Sequence, residues 1–413
     1  MKWSWFGRAS MALLSALAMG LSMTACGGST IAYMWVIGQQ YNQIVGFKVD
    51  HYTGNLTTIQ NSPFSANGSA PVDILVRPGG RYVYVINQGS GTTSTANSND
   101  SGIATFAVGG NGSLTFQQSY QTAGIKHLWA QFDGTGSYLY VLDQYSTSGD
   151  GNGAITSFSS DANTGRLILQ TQSASTPSGG VAPTYLEVGQ SPIMMASSSS
   201  CLYTVNSEDQ TATPFAISSG QLTVPTTNRI SLGTTSVTSI NGNATYMVVT
   251  DKGVTSTSAG SPTPGSISVF TTSSGCSLTP LNGSPLANST DTSDPIYSFI
   301  STSGKYLYVL NGSTTSTNVA TPYSSITAYN LNVGTNAVPS QVVGSPFVTG
   351  ATPVCMVEDP TGTFVYTSNQ DGGTVTGLNY DDTRGELSQL QRGSTFTTPD
   401  NRVGCLALDP DVP

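Results

Sequence analysis

A short list of residues could carry chemistry here. His127 sits beside an apolar, strand-like stretch, and imidazole titrates near neutral pH. At a cavity edge it would serve as a general base, and a carboxylate such as Glu358 is the partner such a base needs. Asp73, Asp294 and Glu358 lie on or beside short apolar strands, and Arg402 enters the last of them, where a guanidinium could hold an anion. The chemistry these residues suggest is general-base action by His127 and the holding of a polar or anionic ligand by the others. Each has a plainer alternative as a structural hydrogen-bonder, turn former or surface charge. His51 reads as an exposed turn residue. Asp143 and Asp251 end their strands where Asn stands in sister segments, which reads as turn capping. There is no CxxC and only two histidines, so a Cys/His zinc site is not expected. Asp150-Gly151-Asn152-Gly153 lacks the further carboxylates of a calcium loop. No metal and no cofactor are expected, and no Gly-x-Ser-x-Gly nucleophile turn is evident.

The elements that must position these residues follow from composition and repetition. The 413 residues include 46 Gly and 21 Pro, only 8% are charged, and 37% are hydrophobic. Such low charge excludes a highly charged disordered chain. With 13 Lys+Arg against 22 Asp+Glu, the chain cannot neutralise a phosphate backbone, so nucleic acid is excluded as a partner. Runs rich in Ala, Leu, Glu and Lys are missing beyond the amino terminus, which disfavours long helices.

One segment recurs seven times. It starts at Tyr33, Tyr82, Tyr138, Cys201, Tyr246, Tyr306 and Phe364, and reads as Tyr82-Val83-Tyr84-Val85-Ile86-Asn87 in its clearest copy. The mean interval is about 55 residues, close to propeller repeat periods. Most copies are apolar on both faces, as a strand between two packed sheets requires. A short apolar strand and a Pro/Gly/Asp turn precede six copies, as in Ile74-Leu75-Val76 before Arg77-Pro78-Gly79-Gly80. A strand ending in an aromatic or apolar residue follows, as in Ile103-Ala104-Thr105-Phe106, and then a Gly-x-Leu element such as Gly165-Arg166-Leu167. Four antiparallel strands, seven times, predict an all-β, seven-bladed β-propeller. The chain ends on Val403-Gly404-Cys405-Leu406-Ala407-Leu408, a strand of the first kind. One blade should therefore join this carboxy-terminal strand to three amino-terminal strands, making residues 33–413 one domain.

Residues 1–25 read as an address. Lys2 and Arg8 precede an apolar run, Ala9 to Leu21, too short to span a bilayer. Met23-Thr24-Ala25-Cys26-Gly27 resembles a bacterial lipobox, which implies lipidation at Cys26, a tether over 26–32, and an exported protein anchored in the cell envelope. The alternative is an ordinary signal peptide cut near Ala25. Of the remaining cysteines, Cys201 and Cys276 are the expected disulfide pair. Cys355 and Cys405 occupy equivalent places in two apolar strands and read as buried thiols.

Tyr-Val-Tyr-Val-x-Asn after Pro-x-Gly, then Ile/Val-x-x-Phe and Gly-x-Leu, resembles the YVTN-type lactonase family of seven-bladed propellers. Ser62-Pro63-Phe64, Ser284-Pro285-Leu286 and Ser345-Pro346-Phe347 are similar to punctuation in its lipoprotein relatives. The resemblance covers nearly the whole chain beyond the leader. It implies a lactone hydrolase of the 6-phosphogluconolactonase kind, with activated water and a stabilised oxyanion. Active members carry a segment resembling Pro-Arg-His, then Asn-Glu. Here Ile125-Lys126-His127 and Asp143-Gln144 stand in those places, so Lys126 takes the ligand-binding position and Gln144 replaces the acid. The family's Gly-Pro-His-Pro-His stretch has no counterpart. Long loops of Gly, Ser, Thr, Asn and Pro at 88–101, 252–265 and 312–324 supply hydroxyls and amides instead. The primary expectation is thus a binding or interaction scaffold for a small polar ligand, glycan or protein. It would lack the full hydrolytic set and touch the membrane only through its anchor. The alternative is a lactonase that uses His127 with a channel carboxylate, acting on a sugar lactone or another small lactone outside the cytoplasm.

Overall fold

A computed structural model of the chain describes residues 30–409, except 93–95, 173–179, 199, 226–228, 254–264, 289–292, 314–323 and 332–337. The signal segment, Cys26 and most of the loops at 252–265 and 312–324 lie outside the described residues.

The seven Tyr-Val-Tyr-type segments are the second strands of seven antiparallel sheets. Tyr82–Asn87, Cys201–Asn206 and Phe364–Asn369 are buried along their whole length, because each sheet packs face to face with a neighbour on both sides. The inner strands run Pro71–Val76, Ile125–Phe132, Pro192–Ser197, Val237–Gly242, Ser293–Ile300, Pro353–Glu358 and Val403–Asp409. Each packs against the next around a closed ring. The carboxy-terminal strand Val403–Asp409 pairs with Thr30–Gly38, which pairs with Gln43–Asp50 and then Leu56–Thr58. We number this mixed blade one, and the blades starting at Pro71, Ile125, Pro192, Val237, Ser293 and Pro353 two to seven. The first strand begins at Thr30, so its start falls inside the stretch expected to be a tether. Six sheets also carry an extra short strand against the third strand; in three blades it begins at or just beyond the Ser-Pro punctuation. Those Ser-Pro bonds are cis, and each serine hydroxyl accepts a third-strand amide: Gly46 to Ser62 at 2.8 Å, Val269 to Ser284 and Ala328 to Ser345 at 2.9 Å.

The seams between blades explain the repeat. The second tyrosine of the motif donates its hydroxyl to the carbonyl of the Gly-x-Leu glycine one blade on. Tyr84 reaches Gly165 at 2.8 Å, Tyr308 reaches Gly385 at 3.0 Å and Tyr366 reaches Gly54 at 2.7 Å. The first aromatic lies flat on that glycine. A Cβ on Gly165 would sit 2.5 Å from the Tyr82 ring, and its φ of 66° already favours glycine. At the seam of blades four and five, Cys201 stands in the tyrosine position and Cys276 in the glycine position, and the two form a disulfide with a Cα–Cα distance of 5.6 Å. This is the expected pair.

Cys355 and Cys405 are not free thiols. Their positions on adjacent inner strands of blades seven and one bring their Cα atoms to 5.1 Å, and they are bonded. Equivalent places in neighbouring inner strands are adjacent in the ring, which turns a similarity of environment into a contact. Met194, Tyr297, Cys355 and Cys405, all on inner strands, belong to one apolar cluster that runs through several blades, and Trp129 packs against it.

Candidate functional site

The open end of the channel where inner strands begin is the mouth. There the inner-strand residue just before the register shift faces an Asn of the second strand in four blades. Pro71 faces Asn87, Pro192 faces Asn206, Pro295 faces Asn311 and Pro353 faces Asn369. In blade three the same place holds His127 opposite Asp143. Both side chains are fully buried, and Nδ1 lies 2.6 Å from the Asp143 carboxylate. Because a carboxylate only accepts, Nδ1 carries the hydrogen. The Thr122 hydroxyl donates to the same oxygen at 2.9 Å, and the Thr156 hydroxyl lies 3.4 Å from the other. Nε2 is buried and has no partner among the described residues.

Asp143 is therefore the partner of His127, in place of the turn cap expected from its sisters. Asp251 is such a cap: it accepts the amides of Thr235, Ser236 and Gly253 at 2.6, 2.9 and 2.8 Å. The signal for Asp143 lay in comparing the first residues of the inner strands, where His127 alone replaces a Pro or Val.

Glu358 does not meet His127. It ends its inner strand, five residues beyond the position equivalent to His127, which at about 3.3 Å per residue is roughly 16 Å down the channel. It accepts the Thr302 amide at 2.8 Å on the far face, and burial pushes its carboxyl above the usual range. Asp73 is also away from the mouth's surface. It is 1% exposed and accepts the amides of Ala130, in the next blade, and Ile74, both at 2.9 Å. Burial pushes its pKa up to about 7 against the lowering effect of those amides. Asp73 clips two inner strands together and offers no free oxygen face to solvent.

Lys126, Asp294 and Arg402 do lie at the mouth, immediately before His127, Pro295 and Val403. Lys126 and Asp294 have φ of 65° and 59°, matching Ala70, Ser191 and Thr352 in other blades. Lys126 donates its amide to Asn97 at 2.9 Å. Arg402 is exposed and borders a cleft of about 600 Å³ with Gln39, Gln40, Pro71, Val72 and Gln88. Among the described residues, no group of three His, Cys, Asp or Glu side chains could hold a metal.

A fold of seven closed blades with a mouth of this kind defines a propeller of the lactonase class. The family model described as "Lactonase, 7-bladed beta-propeller" matches residues 29–183 and 265–401, and the chain belongs to that family. Among solved structures it is similar to the periplasmic gluconolactonase of Pseudomonas aeruginosa, with 16% identity and a TM-score of 0.64 over 92% of this chain and 100% of that one. It is also similar to a Bacteroides fragilis protein provisionally described as a 6-phosphogluconolactonase, with 14% identity and a TM-score of 0.66 over 92% and 99%. At these identities the likeness concerns the fold. No curated protein matches the chain by sequence.

Proposed function

We propose that this chain is an exported propeller that binds a small polar ligand or a glycan at its mouth, without the full set for lactone hydrolysis. One observation carries this reading: His127 is sealed against Asp143, with Nε2 inaccessible to solvent, and Glu358 stands at the other end of the channel. Asp73 is committed to two backbone amides. Besides Asp294 in blade six, the mouth offers carboxamides and two cations with no carboxylate partner among the described residues, groups that hold ligands and do not activate water. Two disulfides favour an oxidising compartment, and the lipobox-like segment at Cys26 would supply the anchor.

A second reading is lactone hydrolysis, favoured by the Nδ1 contact with Asp143, which leaves the Nε2 lone pair as a base. Proton release from a lactone panel, with His127→Ala alongside, separates the two. No turnover above the spontaneous rate, with measurable binding of polar ligands at the mouth, supports the binding propeller. Turnover that disappears in the variant establishes the enzyme.

A further inference from the structure

The residue that follows the second-strand position of Asn87, Asp143 and their equivalents is glutamine in four blades that succeed one another around the ring. These are Gln370 in blade seven, Gln39 in blade one, Gln88 in blade two and Gln144 in blade three. The other three blades place Ser207, Lys252 and Gly312 there. All four carboxamides are half-buried. Their bonds link blade to blade: Gln370 donates to Gln39 at 3.1 Å, Gln39 to the Pro71 carbonyl at 3.4 Å, and Gln88 to the His127 carbonyl at 3.4 Å. Each amide group keeps a second N–H for a ligand, and the Gln88 carbonyl oxygen has no bonded partner among the described residues. A carboxamide offers a donor and an acceptor side by side, the pattern that neighbouring hydroxyls of a sugar present in return.

The cations fall on the same arc. Arg402 belongs to blade one and Lys126 to blade three. Acids outnumber bases in this chain, yet among the described residues neither cation has a carboxylate partner, while Arg229, Lys305 and Arg384 do. The arc's own acids are engaged by neighbours, since buried Asp400 accepts the Gln40, Tyr41 and Arg402 amides and Asp371 accepts the Thr352 hydroxyl at 2.6 Å, while Asp294, the acid at the position of Lys126, lies in blade six. The cleft of about 600 Å³ beneath Arg402 has Pro71 and Val72 as an apolar floor, and its size suits a mono- or disaccharide.

Resting on the reading of the mouth as a ligand site, we propose that this arc binds an acidic sugar: a hexuronate, free or as a residue of a glycan. Arg402 takes the carboxylate as a charge-assisted pair. Gln39 and Gln88 take ring hydroxyls, and the C–H face of the pyranose lies on Pro71 and Val72. One guanidinium in the cleft matches a monoanion. A phosphate dianion would call for more converging donors than the cleft supplies.

The test is calorimetric titration of the full chain with D-galacturonate, D-galactose and trigalacturonate, repeated with Arg402→Gln and Gln88→Ala. Arg402 is exposed and Gln88 is half-buried at the rim, and circular dichroism checks that both variants fold. Galacturonate should bind at least tenfold more tightly than galactose. Arg402→Gln should erase that preference, Gln88→Ala should weaken both ligands several-fold, and added salt should weaken only the acid. A trisaccharide affinity above that of the monomer assigns the site to a glycan, and equal affinity assigns it to the free acid. Equal binding of galactose and galacturonate, sensitive to Gln88→Ala, would overturn the acidic ligand and leave the mouth as a sugar site. No binding of any of the three would overturn the acidic-sugar proposal, and failure of a wider polar-ligand and glycan panel would overturn the mouth reading with it.

Discussion

Replacing His127 and Asp143 together by the pair found in four other blades should be far milder than breaking the pair. Asp143→Ala removes the carboxylate that faces a fully buried imidazole, leaves Nδ1 only the Thr122 hydroxyl at 3.1 Å and takes away the acceptor of the Thr156 hydroxyl. Breaking a buried, hydrogen-bonded pair of this kind costs about 3–5 kcal/mol. Asp143→Asn keeps an acceptor for Nδ1 and turns an amide toward Thr156, as Asn206 does toward Thr213 at 3.1 Å and Asn369 toward Thr376 at 2.9 Å. That change should cost about 1 kcal/mol. His127→Pro alone leaves a buried carboxylate facing an apolar ring and should again cost about 3 kcal/mol or more. The double variant His127→Pro/Asp143→Asn recreates the Pro–Asn pair of blades two, four, six and seven. Lys126 already has the left-handed φ that precedes proline in those blades. The double variant should lie within about 1 kcal/mol of the parent, giving a coupling of roughly 3 kcal/mol or more. Guanidinium unfolding followed through Trp35 and Trp129, the two tryptophans among the described residues, measures the parent and the four variants. Additive losses in the double variant, or an Asp143→Asn as damaging as Asp143→Ala, would refute the reasoning.

Reducing the Cys201–Cys276 bond, or replacing both residues by Ala, opens a 75-residue separation and should lower stability by about 4 kcal/mol on the chain-entropy account; denaturation with and without reductant reads it. Asp73, with its folded pKa raised to about 7, binds a proton in the folded state that the unfolded chain has lost, so its stabilisation is complete below about pH 4 and is lost as pH rises through 7. The loss is on the order of 4 kcal/mol, and Asp73→Asn should flatten the fall in unfolding midpoint between pH 5 and pH 8. Ending the chain before Val403 removes the inner strand of blade one and the Cys355 partner, and should give an expanded, aggregation-prone species by small-angle scattering.

The fold was legible because the repeat records seams. Tyr82, Tyr84 and Gly165 touch one another, so their types are fixed together wherever the seam recurs, and Phe364 with Gly54 shows the same rule across the ring closure. Cys201 and Cys276 obey the same rule, standing in the tyrosine and glycine places of their seam, although the turn-rich surroundings that suggested the pair carry no such information. The site was less legible because its contacts cross blades at a depth the repeat does not encode. Asp143 looked like its Asn sisters until His127 was placed opposite it. Glu358 and His127 share the property of lying on inner strands, but position along the strand, not membership of it, decides which face a residue serves. Cys355 and Cys405 were misread by the converse error, since likeness of position in a ring of equivalent strands means adjacency for neighbouring blades.

The two disulfides also partition the molecule. Cys201–Cys276 closes a loop wholly within blades four and five, and Cys355–Cys405 closes one wholly beyond blade six. A cut anywhere between 277 and 354 therefore severs every covalent link between the two halves, whereas a cut inside either loop leaves the chain in one piece. The longer fragment would hold the three front strands of blade one, and the shorter one their closing strand, so the halves could rejoin only through strand pairing and blade packing. The stretch between blades five and seven is thus the natural place to divide this protein into two complementing parts, each carrying its own disulfide.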